Sequence, residues 1–229
     1  MDIALRIDLK TNKYYFQDKN GIRREPDYDY ARPFVEGFAA VKTNGKWFFL
    51  DQDFHLRGDG YDRVGDFSEG YGAVAEDGKW YFVDTLFKRH GEGYQIDNIE
   101  KPPFFFNNSA EVQIDGVETR INKKFEYFGN CLSLAKANPD RIKNFDCSIF
   151  QGGFDLQLKD VLNSYCQEKL RIAMVEGWTR DDLKALQQQM QETTAVIDEK
   201  KAEAKQRKKD FQEFEKFFDE LFGKDKESV

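Results

Sequence analysis

The chain contains 229 residues, 34% of them charged, with a net charge of -7 and a pI of about 5.1. An acidic chain is not attracted to phosphate groups or to anionic lipid at long range, so we expect neither nucleic acid nor a membrane as partner. Its apolar runs are far shorter than the roughly 20 residues that span a bilayer. The start lacks the basic and apolar regions of a signal peptide, so none is expected.

The composition changes along the chain. Residues 1–129 hold 25 of the 35 aromatic residues and 13 of the 17 glycines, and no proline follows Pro139. We therefore predict an α+β protein in two parts, with an all-β repeat domain over residues 1–129 and a helical region after it. Residues 130–154 are expected to connect the parts, 155–222 to be helical, and 223–229 to form a flexible tail.

Internal repeats with a period of 33 residues organise the N-terminal part. The segment Phe34–Val41 matches Phe67–Val74, and Gly45–Asp51 matches Gly78–Asp84. A degenerate unit precedes them at Asn12–Asp18, and another follows at 112–116 with an offset of 38. Four units are therefore predicted, and the loss of aromatics in the last is typical of a terminal repeat with one solvated face.

Each unit has the pattern of a β-hairpin of about 33 residues. Asn44-Gly45 and Asp77-Gly78 favour the positive φ angles of a tight turn, and an aromatic strand follows each of them. The glycine-rich stretch from Arg57 to Tyr61 is expected to be a second turn that links one unit to the next.

These residues resemble the WG-repeat family, whose units carry phenylalanine-x-glutamate-glycine, then glycine-lysine-tryptophan and a closing aspartate. The resemblance covers about residues 1–128 and is strongest in the two central units. Phe48 and Tyr81 depart from the family pattern, because they replace the glycine that follows the tryptophan. The resemblance implies a β-rich interaction module and no reaction.

Alternation along the aromatic strands separates three columns of side chains. We expect the Trp47/Trp80 and Phe49/Phe82 columns, with Tyr14 and Phe16 of the first unit, to form the core between units. The middle column faces the other way and is either an exposed binding surface or buried against a helix. Its members, with one tryptophan of the helical region, are the candidate binding residues: Tyr15, Phe48, Tyr81 and Trp178.

Two helices are predicted in the C-terminal region. The first runs from Asp155 to about Val175 with an apolar face that includes Leu158 and Leu162, and Gly177 suits its C-cap. Thr179 can cap a second helix, which meets no breaking residue before Gly223 and would span about 44 residues, or roughly 66 Å.

A heptad pattern runs through the second helix and is interrupted by Lys200 and Arg207. Since the first helix can cover only half of the second, the end of the second helix needs another contact. This end carries the candidate interface residues: Phe211, Phe214, Phe218, Leu221 and Phe222. They would mediate self-association, bind another protein chain, or dock on the repeats. The basic run at 200–209 is expected to be a solvated helix face.

No motif for catalysis, phosphate binding or zinc binding is present. His55 and His90 are expected in loops without a joint role, and Asp51-Gln52-Asp53 to be a turn, so we predict no metal and no cofactor. The three cysteines are odd in number and form no CxxC pair, which favours reduced thiols in a cytoplasmic protein.

The sequence thus favours a non-enzymatic interaction, scaffold or adaptor protein. In that hypothesis the repeats bind a protein or peptide, and the long helix mediates assembly. Two alternatives stay open: a sensor that holds a small ligand in aromatic pockets between repeats, and an enzyme with an unrecognised site.

Overall fold

A computed structural model describes residues 3–95, 101–150 and 153–222 of the chain. It divides into two compact units, Met1–Phe125 and Glu126–Val229. The first is built from antiparallel strands and the second from helices, so the predicted two-part α+β organisation is confirmed. The predicted tail at 223–229 and most of the predicted loop at 151–153 lie outside the described residues.

The described residues of the N-terminal unit form four antiparallel sheets, in which strands adjacent in sequence pair as meanders. The first sheet contains β1 (Ala4–Asp8), β2 (Lys13–Gln17) and β3 (Arg23–Tyr28). The second contains β4 (Tyr30–Ala31), β5 (Ala39–Thr43), β6 (Lys46–Leu50) and β7 (Leu56–Tyr61). The third contains β8 (Arg63–Ser68), β9 (Tyr71–Glu76), β10 (Lys79–Asp84) and β11 (Arg89–Tyr94). The fourth contains β12 (Phe105–Phe106), β13 (Ser109–Ile114) and β14 (Val117–Asn122).

The predicted tight turns are present. Asn44 and Gly45 have φ angles of 51° and 80°, and Asp77 and Gly78 have 51° and 74°. These paired positive values are those of the tight hairpin turn that these residue types favour. In the first sheet, the equivalent hairpin has a longer loop between Asp8 and Lys13.

The stretch predicted as a second turn is a strand instead, so the predicted hairpin of each central unit lies within a four-stranded sheet. β7 includes Gly58 and Gly60, and its pairing with β6 shifts between Trp47 and Phe49. A Cβ on Gly58 would lie 2.4 Å from the ring of Tyr61. At this position glycine leaves room for the Tyr61 ring beside a bulged strand. In the sequence, such a glycine is hard to distinguish from a turn glycine.

Aromatic and small apolar side chains fill the space between successive sheets. Phe16, Phe49 and Phe82 are at most 1% exposed, which confirms the prediction for their column. Phe49 packs with Phe67 of the third sheet, at a ring-centroid distance of 4.9 Å. Phe82 packs in the same way with Phe105 of the fourth, also at 4.9 Å. The repeats therefore share continuous cores, as stacked units must.

The fourth sheet has one polar face and one buried face. Glu118 and Arg120 are exposed, whereas Thr119 and Ile121 are 3% and 0% exposed. The charged pair Glu111 and Arg120 lies at directly opposed positions of β13 and β14. The loss of aromatics in this unit therefore matches a solvated outer face.

The C-terminal unit begins with a short helix and two 3-10 turns, and ends with two long helices. They are α1 (Cys131–Ala137), the turns Pro139–Asn144 and Cys147–Ile149, α2 (Phe154–Glu176) and α3 (Arg180–Phe222). The ambiguous connection at 130–154 is thus largely helical.

Local signals fix the ends of the long helices. Gly177 closes α2 in the left-handed conformation, with φ 70° and ψ 42°, as predicted. At the start of α3, Thr179 Oγ1 accepts from the backbone N–H of Asp182 at 3.3 Å. The Asp182 carboxylate in return accepts from the backbone N–H of Thr179 at 2.8 Å. α3 has 43 residues, close to the predicted length.

Candidate functional site

The proximal part of α3 is packed within its own unit. Leu186, Thr193 and Ile197 are buried, with Ile197 at 0% exposure. α2 runs antiparallel alongside, since Lys159 pairs with Asp198 at 2.7 Å.

The N-terminal end of α2 marks where this packing ends. Lys201 pairs there with Asp155, a residue in the first turn of α2 that is only 2% exposed. The Lys201 ammonium donates a hydrogen bond to the Asp155 carboxylate, and this bond lowers the pKa of that carboxyl. The ion pair therefore holds α3 against the end of α2, and about 30 Å of helix follows it.

The last part of this helix, residues 205–222, is called the distal segment below. Every described side chain from Lys205 to Phe218 is exposed. Phe211, Phe214 and Phe218, here called the phenylalanine face, are 61%, 60% and 51% exposed, and the adjacent Phe217 is 57% exposed. Their spacing of three and four residues places them on one side of the helix.

Two more of the predicted interface residues, Leu221 and Phe222, belong to the last turn of α3. Their side chains lie outside the described part of the chain. The rings of Phe214 and Phe218 lie 6.2 Å apart, so this face presents neighbouring aromatic surfaces rather than isolated rings. Large contiguous apolar surface of this kind marks interaction sites in proteins.

The members of the predicted middle column, Tyr15, Phe48 and Tyr81, are each half-buried. Phe48 packs against the core between the first and second sheets, and Tyr81 against the core between the second and third. A Cβ on Gly60 would lie 3.0 Å from the Phe48 ring, and one on Gly93 would lie 2.9 Å from the Tyr81 ring. Within the N-terminal unit, neighbouring strands and their glycines thus cover part of each of these rings.

Arginine side chains lie over the rings of two members of this column. The Arg23 guanidinium lies 4.2 Å from the ring centroid of Tyr15, and that of Arg89 lies 3.8 Å from Tyr81. Trp178 belongs to the other unit, where it packs with Leu186 and donates to Glu176 at 3.1 Å. Three of the four candidates therefore belong to the N-terminal unit and one to the C-terminal unit.

The first aromatic column is only partly core. Trp80 is 1% exposed, as predicted, but Tyr14 and Trp47 are half-buried. Both flank Tyr30, whose ring lies 5.0 Å from Tyr14 and 5.6 Å from Trp47, and Tyr30 is 43% exposed. We name Tyr14, Tyr30 and Trp47 the aromatic chain. The sequence did not indicate it, because Tyr30 has no aromatic counterpart at Arg63.

A carboxylate and a basic side chain pair at one position in each of three repeats. Asp18 binds Arg24 at 2.9 Å, Asp51 binds Arg57 at 2.8 Å, and Asp84 lies 2.9 Å from Nε2 of His90. His90 therefore lies in β11 and has a repeat-related role, which corrects its predicted loop position. In each of these repeats the basic residue follows the aspartate by six positions, so the pairs can be recognised in the sequence.

The environment lowers the pKa of these aspartates. Burial acts against the charged form of Asp51, but the backbone N–H of His55, then Arg57 and the N–H of Asp53, outweigh it. For Asp84, the hydrogen bond to His90 is the largest cause of the lowered pKa. The aspartates therefore stabilise the loop that follows each aromatic strand.

Asp51, Asp53 and His55 bring their ligand atoms within 4.8 Å of one another. The Asp51 carboxylate already accepts from two backbone N–H groups and from Arg57. Since Asp84 makes the same backbone contacts in the next repeat, this geometry belongs to the turn, and we assign no metal to it.

A phenylalanine with positive φ lies three residues after Asp51, three residues after Asp84 and, in the fourth repeat, three residues after Asn122. Phe54, Phe87 and Phe125 all have a φ of 62°, and Gly21 takes the position in the first. A bulky residue rarely adopts this conformation. The rings pack between sheets, as Phe87 does with Phe38 at 5.4 Å and Phe49 at 5.8 Å, so their burial offsets the strained backbone.

All three cysteines belong to the helical unit, where Cys131, Cys147 and Cys166 are buried and free of disulfides. Burial raises the pKa of Cys131 to about 12. A buried thiol that is so rarely ionised is a poor nucleophile, so these residues have the properties of core side chains.

Comparisons with known proteins agree with the repeat architecture. Residues 17–47 and 60–80 match the family model of the WG containing repeat, which is not a known enzyme family. Comparison with curated proteins gives no significant match. No helix among the described residues is long and apolar enough to cross a membrane. The N-terminal unit thus contains repeats of the WG type, as the sequence predicted.

Proposed function

We propose that this protein is a non-enzymatic assembly protein of the cytoplasm, whose distal segment binds another protein chain. The single observation that carries the proposal is the exposure of Phe211, Phe214 and Phe218, each more than half exposed on one side of α3. The free buried thiols are consistent with a reducing compartment.

The energetics favour a contact at this position. Burying a phenylalanine side chain contributes roughly 1.5–3 kcal/mol, so a few such residues supply much of a specific interface. A convex helix side suits a groove or another helix better than it suits a small molecule, which binds in concave sites. The distal segment therefore favours a macromolecular partner over a small ligand.

The test compares capture by the full chain with capture by the variant Phe211→Ser/Phe214→Ser/Phe218→Ser. Because these side chains are exposed, the variant is expected to fold as the parent does. A matched control, Gln206→Ser/Gln212→Ser/Lys216→Ser, changes three exposed polar residues of the same segment. The parent, the phenylalanine variant and the control each serve as bait with one tag, and each is co-expressed with a copy of the chain that carries a second tag. All captured proteins are quantified by mass spectrometry.

We expect the phenylalanine variant to capture at least tenfold less of each specific partner than the parent does. If the partner is a second copy of the chain, the copy with the second tag should show this loss. The control should capture as much as the parent. Equal capture by all three proteins would contradict the proposal.

A second candidate surface is the aromatic chain of the N-terminal unit, through which the repeats would bind a protein or peptide. The Arg32 guanidinium lies 5.5 Å from the ring centroid of Trp47, so aromatic and cationic groups are adjacent. Tyrosine, tryptophan and arginine are the residue types enriched in binding hot spots. Capture that is lost in Tyr30→Ala and retained in the phenylalanine variant would assign a partner to this surface.

A further inference from the structure

We infer that the partner of the distal segment is a second copy of this chain, bound antiparallel along α3. This inference rests on the proposed function and names its partner. In the arrangement, the acidic, phenylalanine-rich end of each α3 lies beside the basic segment of the other.

The charges of α3 are separated along its length. Residues 200–209 contain six basic residues and one acidic residue, whereas residues 210–222 contain five acidic residues and one basic residue. A parallel pair would place like-charged segments side by side. An antiparallel pair places each basic segment beside an acidic one, so charge complementarity selects that orientation.

The side chains of the two segments also complement each other in size. Ala202 and Ala204 in the basic segment leave room beside the helix for large rings. Lys200 and Arg207, which interrupt the heptad, would face phenylalanines of the second copy. Their apolar stems and charged heads suit an aromatic surface through packing and cation–π contact. The interruption of the heptad is thereby explained.

The available area is sufficient for a stable contact. A twofold pair contributes the phenylalanine face of both chains, so three exposed rings per chain become six. At about 100 Å² for each half-exposed ring, they bury about 600 Å² before the lysine and arginine stems are added. The total then approaches the roughly 1,000 Å² expected of a specific interface.

Sedimentation equilibrium of the full chain tests the association. We expect a dimer at low salt that weakens as salt rises, because the paired charges are screened. Phe211→Ser/Phe218→Ser should raise the dissociation constant at least tenfold, and the exposed control Gln212→Ser should leave it unchanged. Glu213→Lys/Glu215→Lys should also weaken the dimer, and adding Lys205→Glu/Lys208→Glu in the same chain should restore it.

Distances between spin labels test the orientation. The native cysteines are buried, so single labels can be placed at Gln191→Cys or Gln212→Cys in the full chain. If two copies cross antiparallel near residue 209, labels at 212 lie close together and labels at 191 lie about 50 Å apart. A parallel pair gives short distances at both positions and would overturn the inference.

A chain that is monomeric at every salt concentration would also overturn it. In that case, capture of a different protein that still depends on the phenylalanine face would leave the proposed function intact. If the chain is monomeric and no capture depends on the phenylalanine face, both the inference and the proposed function are wrong.

Discussion

The carboxylate of Glu36 accepts a hydrogen bond of 2.8 Å from the backbone N–H of Glu69, the residue at the same position one repeat later. It also accepts from the N–H of Gly70 at 2.8 Å. Glu69 in turn accepts from the N–H of Asn108 in the fourth repeat at 2.9 Å. Each glutamate thus holds the turn of the following repeat, so these recurring acids link neighbouring units.

Replacing Glu36 should weaken the link between the second and third sheets. Glu36→Ala removes the acceptor of two backbone N–H groups, and we expect a loss of about 1 kcal/mol in the free energy of unfolding. Glu36→Gln keeps one acceptor oxygen and should fall between Ala and the parent. Urea unfolding, followed by tryptophan fluorescence in a Trp178→Phe background, reports on the β unit. An Ala variant as stable as the parent would show that water replaces this contact.

The two repeat tryptophans should differ in their contribution to stability. Trp80 is 1% exposed, so Trp80→Ala should lower the free energy of unfolding by about 3–5 kcal/mol. Trp47 is half-buried at the equivalent strand position, so Trp47→Ala should cost clearly less. The two variants are matched controls for each other in the same urea experiment, read by circular dichroism. Equal losses would contradict the difference in their surroundings.

At Phe87, glycine should be tolerated better than alanine. Both substitutions remove the ring from the core, but only glycine adopts the φ of 62° without strain. We expect Phe87→Gly to be more stable than Phe87→Ala by about 1 kcal/mol, the cost of a left-handed residue with a Cβ. Thermal unfolding of both proteins gives the ranking. The reverse order would mean that the backbone relaxes once the ring is removed.

Acid should weaken the loops that the aspartates hold. The pKa of Asp51 in the folded protein lies below its ordinary value of 3.8. The carboxylate therefore stabilises the fold above that value, and this contribution is lost as the pH falls through the folded pKa. Asp51→Asn should lower stability at neutral pH by about 1–2 kcal/mol and flatten its dependence below about pH 4.

The exposed neighbour variant Asp53→Asn is the control for this pH series. Urea unfolding at a series of pH values from neutral to acid provides the measurement. If Asp51→Asn and the parent lose stability in parallel below the ordinary pKa, then Asp51 does not carry this part of the pH dependence.

The sequence predicted most of the architecture because its signals are local. Paired turn residues such as Asn44-Gly45 and the caps at Gly177 and Thr179 act within a few residues, and each repeat presents such signals again 33 residues later. They specified the repeats, the hairpin turns and the ends of both long helices without knowledge of tertiary contacts.

Features that depend on neighbouring strands were harder to predict. β7 and β11 contain glycines that accommodate rings, which a sequence pattern cannot distinguish from turn glycines. Phe54 and Phe87 recur at the repeat period, but their positive φ becomes understandable only once their rings are placed between sheets. Strand alternation predicted that the middle aromatic column faces away from the other two columns, but it does not reveal that Phe48 and Tyr81 pack beside Gly60 and Gly93.

The candidate interface was predicted from a simple length argument. A first helix of about 20 residues cannot cover a second of more than 40. In the structure, the first turn of α2 lies beside Lys201 of α3, and every described side chain from Lys205 to Phe218 is exposed. The sequence could not determine which heptad positions the helical unit uses itself. Leu186, Thr193 and Ile197 are buried there, whereas Phe211 and Phe214 are not.

Hydrogen–deuterium exchange of α3 at high and low protein concentration tests the central claim most directly, because it reports whether the distal segment is covered in solution. An uncovered helix end of this length frays and exchanges fast. We predict that residues 205–222 are protected at high concentration, lose protection on dilution, and lose it at any concentration in Phe211→Ser/Phe218→Ser. Residues 180–200 should stay protected throughout. Fast exchange of residues 205–222 at every concentration, identical in parent and variant, would contradict the account.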